Sequence, residues 1–298
     1  MKNKGGLFIK TTKSCKFFAT IFMLILFLSM IVSPLCNNQS KNVLAQTETR
    51  YGEQIYSANT RASTLEYETV TYSTVSTETY NIYATYPKYY NTNSSLTNAC
   101  APVAGSNIVG FYDKIYDNFI PNYTVGFTRT GYFNYYPMTF NPTPKQNVIN
   151  ELYSLMGTNT PVAGTTQTQY KMGLSAYINS KEKDITYTSI VNNGEINFNS
   201  LDTQLRLGNP VTLFLSGYNV CDTADGGDGE FEISKLVYDT NHIMVCFGYN
   251  RYTFYDVNNN IISIKTFLVI APGIDGLDGE YLLDNNGTLN DAEAAYVY

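Results

Sequence analysis

The sequence lacks tryptophan entirely and contains one histidine, His242, whereas Tyr, Thr and Asn are abundant. This composition suits an extracellular, strand-rich protein. A lone histidine is most often a surface residue or a hydrogen-bonded core residue. Base-catalysed acyl transfer near neutral pH, however, needs an imidazole, so any chemistry of that kind in this chain must use His242.

Cysteine is also scarce. Five are present, and two of them lie within the first 45 residues. The other three, Cys100, Cys221 and Cys246, are too few for the disulfide framework of a small secreted domain. Cys221 and Cys246 could form one disulfide bond and leave Cys100 free, or they could be two buried thiols.

The N-terminal segment differs from the rest of the chain. Its lysines precede a predominantly apolar run at residues 17–32, and Val43-Leu44-Ala45 forms a small-residue cleavage site before Gln46. This order predicts a secretory signal peptide over residues 1–45. The apolar run is short for a membrane span, although an uncleaved N-terminal anchor is the alternative. The mature protein is therefore expected outside the cell, without stable membrane association.

Positive charge is scarce in the remainder of the chain. The predicted signal segment holds six of the 19 basic residues and no acidic residue, which leaves 13 basic and 25 acidic residues and a formal charge of −12. A surface of this sign repels nucleic acids and anionic membranes, so neither is an expected partner. Two acidic segments, residues 222–230 and 275–280, lack EF-hand spacing. We predict solvated turns there, with calcium binding as the alternative, and we expect no metal or cofactor.

The segment from Thr97 to Asp113 carries the clearest chemical signal. A loop rich in Asn and Ser leads to Cys100, and an apolar pattern with helical spacing begins immediately after it. Pro102 fits the first turn of a helix, where a missing N–H costs nothing. Cys100 is therefore predicted at a helix N-terminus, whose partial positive charge stabilises a thiolate and lowers the thiol pKa. The alternative is a small buried cysteine that packs under a helix.

The rest of the chain predicts further helices and several mostly antiparallel strands. Helices are predicted at residues 145–156, 167–180 and 198–207. Strands are predicted within residues 65–86 and at residues 185–191, 210–218, 243–249, 252–257, 261–270 and 292–298. His242 lies at the start of one of these apolar strands. Helices followed by antiparallel strands indicate an α+β arrangement.

Two motifs resemble those of a known family. NACAPVAGSNIVGFYD, which includes Cys100, resembles the nucleophile helix of bacterial papain-like cysteine peptidases, especially the group with a domain like that of bacteriocin-processing peptidases. NHIMVCFGYN, which includes His242, resembles their histidine strand. The resemblance implies a papain-like α+β fold over residues 86–298, with the nucleophile helix in a helical part that packs on a mostly antiparallel sheet. Residues 46–85 would then be an N-terminal extension or short propeptide.

The match to the family is incomplete at two positions. The family's third catalytic residue, an Asn or Asp that orients the histidine, corresponds here to Ala271. Asp275 is the nearest carboxylate beyond the turn, with Asp278 and Asn285 further along. A Cys–His dyad or a loss of activity are the alternatives.

The second departure concerns the oxyanion donor. The family's Gln, about six residues before the cysteine, corresponds here to Ser94. Asn93 or Asn98 could supply the side-chain donor instead, and the backbone N–H of Cys100 is the other candidate.

The resemblance implies a secreted bacterial cysteine peptidase that hydrolyses peptide or protein substrates through an acyl-enzyme. It would act in the extracellular medium or at the cell surface. Two other functions use the same residues. The first is a secreted binding module that has lost catalysis, and the second is an acyl or amide transferase.

Overall fold

A computed structural model describes residues 55–56, 64–82, 87–116, 119–121, 128–130, 133–135, 142–274, 280–283 and 289–298. These residues belong to one compact unit, Thr47–Tyr298. The predicted signal peptide lies outside them. Within the described ranges, no helix is long and apolar enough to cross a membrane.

Sixteen strands lie in the described part of the chain. In chain order they are β1 (Ile55–Tyr56), β2 (Thr64–Thr71), β3 (Thr74–Asn81), β4 (Thr128–Thr130), β5 (Phe133–Tyr135), β6 (Thr165–Thr166), β7 (Ile185–Ser189), β8 (Val191–Asn192), β9 (Glu195–Ile196), β10 (Val211–Leu215), β11 (Tyr218–Asp225), β12 (Glu230–Tyr238), β13 (His242–Tyr255), β14 (Ile261–Ala271), β15 (Glu280–Leu282) and β16 (Leu289–Val297). Ten of them form one antiparallel sheet in the order β2-β12-β11-β15-β14-β13-β10-β16-β7, with β3 also paired to β13. The pairs β1–β6, β4–β5 and β8–β9 form small separate sheets.

Strand β13 is the centre of the main sheet. Along one edge it pairs first with β10, where Leu215 lies opposite His242, and then with β3 from Gly248 onward. Along its other edge it pairs with β14 in a long hairpin. His242 is therefore the first residue of the most extensively paired strand, so its backbone position is tightly determined.

Four helices lie in the described residues: α1 (Cys100–Asp113), α2 (Pro142–Leu155), α3 (Gln167–Asn179) and α4 (Phe198–Arg206). Each falls on a segment that the sequence predicts as helical. Thr166 and Gln169 form the capping box of α3, which satisfies backbone N–H groups that the first turn leaves without partners. Helix α1 begins at Cys100, which confirms the predicted helix N-terminus.

The side chains of β13 alternate between the two faces of the sheet. Ile243, Val245 and Phe247 belong to a core cluster that includes residues of α1, α2 and α3. Met244 and Cys246 belong to a second cluster with residues of α4. All fourteen residues of α1 are buried, including the polar residues Ser106, Asn107 and Asp113.

The predicted papain-like α+β fold is wrong. Strands account for 43% of the structure and helices for 25%, and a ten-stranded, mostly antiparallel sheet dominates. The sequence reasoning missed β12 and took residues 222–230 for a polar loop. In the structure, β11 continues to Asp225 and β12 starts at Glu230. The sequence of the β11–β12 hairpin resembles that of a loop because about half of the residues in each strand face solvent and are polar.

The segment before residue 86 also belongs to the main sheet. Strand β2 pairs with β12 along eight residues, and β3 pairs with β13 along eight residues. Both strands fall within the predicted strand region at residues 65–86. The division at residue 85, predicted from the resemblance, therefore does not coincide with a boundary of the sheet.

Candidate active site

Cys100 is the first residue of α1, and a hydrogen-bonded loop precedes it. The side chain of Asn91 donates to the carbonyl oxygens of Asn93 and Leu96, at 2.9 Å each. Gln146 of α2 donates to Asn91 Oδ1 at 2.9 Å. Asn98 completes the approach to the helix with a left-handed φ of 55°, a conformation that Asn tolerates better than most residues. The loop and α2 together determine where the Cys100 sulfur lies.

His242 is held through one ring nitrogen. Its Nε2 lies 2.7 Å from the carbonyl oxygen of Pro272, just beyond the end of β14. Because a carbonyl only accepts hydrogen bonds, Nε2 carries the proton and Nδ1 is the basic nitrogen of the neutral ring. Nδ1 is buried and has no hydrogen-bond partner among the described residues.

The fold brings the start of α1 next to the start of β13. Backbone hydrogen bonding from Ile243, the residue after His242, reaches the Cys100 thiol. Cys100 is 3% exposed and His242 is 1% exposed, so both side chains lie inside the protein. Two residues that are distant in sequence therefore share one buried region.

The protonation states differ from those predicted. Burial raises the pKa of Cys100 to about 11, although backbone hydrogen bonds from Ile243, Ala101 and Cys100 act in the opposite direction. Burial also lowers the pKa of His242 to about 4, against the opposing effect of its bond to Pro272. The predicted pKa of Cys100, below that of a free thiol, is wrong because desolvation outweighs the helix N-terminus. Near neutral pH the pair is a neutral thiol and a neutral imidazole.

Two tyrosine rings form a stack that ends on the imidazole of His242. The Tyr218 ring stacks on the His242 ring, with centroids 4.5 Å apart and planes at 22°. The Tyr238 ring stacks on Tyr218 at 4.4 Å and 1°. Tyr218 is 2% exposed, and its hydroxyl has no hydrogen-bond partner within the described ranges. The sequence analysis missed this residue, because Tyr218 lies at the end of an apolar segment and reads as part of a strand.

Burial raises the pKa of Tyr218 beyond its ordinary range, and the neighbouring Tyr238 and Cys100 add to the shift. The contribution of Cys100 shows that the phenol and the thiol interact electrostatically within the buried region. Thr240, two residues before His242, also has a buried hydroxyl oxygen without a partner in the described part of the chain. Native proteins rarely leave buried polar atoms unpaired, so the Tyr218 and Thr240 hydroxyls distinguish this region from an ordinary core.

The predicted oxyanion donors Asn93 and Asn98 both make loop hydrogen bonds, and their role at an oxyanion stays a prediction. Asn93 Oδ1 accepts from the backbone N–H and the hydroxyl of Ser95, at 3.0 and 2.7 Å, which closes a turn. Asn98 Nδ2 donates to Asn159 Oδ1 at 2.7 Å. Both side chains therefore stabilise loop structure, and the backbone N–H of Cys100 is the predicted donor that lies at the sulfur.

Ala271 occupies the position at which the family carries its third catalytic side chain. Ala271 pairs with Val245 in the β13–β14 ladder. Asp275, Asp278 and Asn285 lie outside the described residues, so the role of Asp275 stays a prediction. The orienting hydrogen bond to His242 is made by the backbone carbonyl of Pro272.

Gly273 holds this carbonyl close to α1. Its φ is +73°, in the left-handed region, and a Cβ there would lie 2.8 Å from Cγ1 of Val103. Only glycine therefore lets the turn after β14 pack so closely against the first turn of the helix.

Cys221 and Cys246 are both buried and form no disulfide bond within the described residues, so the alternative of two buried thiols is confirmed. Among the described residues, no group of three or more His, Cys, Asp or Glu side chains could hold a metal ion.

Comparisons of the chain with family models, curated proteins and solved structures gave no match.

Proposed function

We propose that this protein is a secreted cysteine peptidase in which Cys100 is the nucleophile and His242 the general base. The observation that carries the proposal is the state of the imidazole. Nε2 is fixed on the Pro272 carbonyl, and the basic Nδ1 is buried without a partner among the described residues. The next residue, Ile243, reaches the Cys100 thiol through a backbone hydrogen bond. A histidine with a purely structural role would be expected to use both of its ring nitrogens.

The chemistry follows from these protonation states. As Sγ attacks the peptide carbonyl carbon, the thiol proton passes to Nδ1 and the carbonyl π pair moves to oxygen. The resulting imidazolium still donates through Nε2 to Pro272, and it then protonates the leaving amine. Water attacks the acyl-enzyme, Nδ1 accepts a proton from it, and the thiol is restored. The dyad needs no carboxylate, because the backbone carbonyl orients the ring.

The protonation states also bear on the rate. An uncharged acceptor stabilises imidazolium less than a carboxylate does, and the pKa of His242 is about 4. His242 is therefore a weak base near neutral pH. We expect low turnover compared with a dyad that rests as a thiolate–imidazolium ion pair.

The proposed substrate is a peptide or protein. The acidic mature chain and the predicted signal peptide favour action outside the cell. Since Cys100 is 3% exposed, a polypeptide reaches Sγ only after neighbouring side chains move. We therefore expect small thiol reagents to label Cys100 faster than bulky ones.

The test compares Cys100→Ala with Cys221→Ala, a matched control that removes another buried thiol. Cleavage of an unfolded protein substrate should fall by about 10³-fold or more in Cys100→Ala. It should stay within about twofold of wild type in Cys221→Ala. Circular dichroism should show that both variants remain folded. Wild-type cleavage by Cys100→Ala would exclude Cys100 as the nucleophile.

Labelling by iodoacetamide, mapped by mass spectrometry, separates the peptidase from a binding module. In the peptidase, Cys100 reacts faster than Cys221 and Cys246, and His242→Ala slows that reaction. Equal rates at all three thiols, together with no cleavage by wild type, would favour the binding module. Peptide ligation to an added amine would identify a transferase.

A further inference from the structure

The proposed reaction needs donors for the developing oxyanion. Asn93 accepts hydrogen bonds from Ser95, and Asn98 donates to Asn159, so both predicted side chains already take part in loop structure. The backbone N–H of Cys100 is one donor, and oxyanion sites usually combine at least two. A second donor must lie near Sγ, be protonated at working pH and have an unused hydrogen.

Tyr218 meets these conditions. Its ring lies between His242 and Tyr238, stacked on both, so its position is fixed from two sides. It is 2% exposed, and its hydroxyl has no hydrogen-bond partner in the described part of the chain. The raised pKa keeps this phenol protonated near neutral pH.

The unpaired hydroxyl itself argues for a use. A buried polar group without a partner destabilises a protein, and phenylalanine would give the same stacking without that cost. Packing alone therefore does not account for tyrosine at this position. A hydroxyl that forms its hydrogen bond only when substrate is bound does account for the tyrosine, because that bond then forms in the reacting complex.

We propose that the Tyr218 hydroxyl donates a hydrogen bond to the oxyanion of the tetrahedral intermediate on Cys100. This inference rests on the proposed function. As the Sγ–C bond forms, the carbonyl π pair moves to oxygen, and Tyr218 donates to that oxygen while keeping its own proton. The thiol proton goes to Nδ1 of His242, so charge and atoms balance. Tyr218 is then a catalytic residue, because it touches the reacting oxygen.

The test compares wild type, Tyr218→Phe and Tyr238→Phe. The last removes a hydroxyl from the neighbouring ring of the same stack and serves as the matched control. A peptide aldehyde forms a tetrahedral adduct with a cysteine, whereas iodoacetamide alkylates sulfur without forming an oxyanion. We expect Tyr218→Phe to weaken aldehyde binding and lower kcat by about 10²–10³-fold. Iodoacetamide labelling of Cys100 should keep its rate and pH profile, and Tyr238→Phe should match wild type in all three measurements.

Other outcomes overturn the proposal. Unchanged aldehyde affinity in Tyr218→Phe, with normal labelling of Cys100, would show that Tyr218 contacts no oxyanion while the peptidase assignment stands. An equal loss in alkylation and aldehyde binding would show that Tyr218 acts only by positioning His242 or Cys100. Failure of wild-type Cys100 to react with either reagent would remove the proposed function and, with it, this inference.

A structure of the wild-type aldehyde adduct provides a readout that does not depend on how the variant folds. The Tyr218 hydroxyl oxygen should lie about 2.6–3.2 Å from the adduct oxygen, within hydrogen-bond reach. A separation of more than about 4 Å would overturn the assignment.

Discussion

At the scale of single residues, the imidazole of His242 depends on an uncharged partner. The Pro272 carbonyl orients the ring as a carboxylate would, but it brings no negative charge to stabilise imidazolium. With the ring fully buried, the neutral form prevails and the pKa falls to about 4. The tautomer of His242 is therefore fixed, with the proton on Nε2 and the lone pair on Nδ1, but the imidazole is a weaker base.

This pKa makes stability depend on pH through His242. The pKa is about 4 in the folded protein and near the ordinary 6.5 in the unfolded chain, so the unfolded state binds more protons between these values. The stabilising contribution is complete above about pH 6.5 and is lost as pH falls toward 4. Between pH 7 and 4.5, urea unfolding should show that wild type loses roughly 2–3 kcal/mol more than His242→Gln. Parallel curves for the two proteins would contradict the lowered pKa.

A second prediction at this scale concerns the aspartate expected to orient His242. Because Nε2 donates to Pro272, and Nδ1 is the nitrogen proposed to take the thiol proton, we expect Asp275 to contribute little to turnover. Asp275→Ala should keep kcat/KM within about threefold of wild type, and so should the control Asp278→Ala. A selective loss in Asp275→Ala, of tenfold or more, would restore the carboxylate to the mechanism.

At the scale of elements, the site depends on the contact between α1 and the turn after β14. Helix α1 presents Cys100, and the turn at Pro272-Gly273 presents the carbonyl that holds His242. The two meet where Gly273 packs on Val103, in the first turn of the helix. The spacing between nucleophile and base is therefore determined by one close backbone-to-side-chain contact.

Gly273→Ala tests this contact, with Gly194→Ala as the control. Both glycines have left-handed φ values, +73° and +82°, so both variants should lose about 1–2 kcal/mol of stability through backbone strain. Only at Gly273 would the new Cβ meet Val103, at 2.8 Å, whereas nothing lies within 4 Å at Gly194. We expect kcat/KM to fall roughly tenfold or more in Gly273→Ala alone, because small displacements of catalytic groups are costly.

The double variant Gly273→Ala/Val103→Ala sharpens the result. Removing the Val103 methyl groups relieves the contact and should recover part of the lost activity, although not the strain of the left-handed backbone. Equal activity of Gly273→Ala and Gly194→Ala would show that the turn does not determine the position of His242.

At the scale of the whole molecule, the strands before residue 86 complete the sheet that carries the site. Strand β3 pairs with β13, the strand that begins at His242, and β2 pairs with β12, which contains Tyr238. Loss of these strands would leave two long edges without hydrogen-bond partners. The structure therefore favours their retention in the mature protein.

N-terminal sequencing of the secreted protein tests this prediction together with the signal peptide. We expect the mature chain to start near Gln46, and in any case before Thr64, where β2 begins. An N-terminus near residue 86 would show that residues 46–85 are a propeptide and that the sheet is stable without β2 and β3. An intact Met1 would exclude cleavage of the signal peptide.

The sequence by itself determined the local features of the site. Helix start signals placed Cys100 at the first residue of α1, and the absence of any other histidine made His242 the one imidazole available. Helices α2 to α4 and the β13–β14 hairpin were also predictable. Apolar periodicity, capping residues and turn residues act within a few positions along the chain, so a single sequence displays them.

Only the tertiary structure decided which groups surround the sulfur and the imidazole. The Pro272 carbonyl is invisible to a search for catalytic side chains, and Tyr218 has no local signal that separates it from an ordinary strand residue. The papain-like fold failed for the same reason, because the pairing of β2 and β3 with distant strands leaves no local pattern. The pKa values changed direction from expectation because desolvation depends on burial, which the whole fold creates and no short segment encodes.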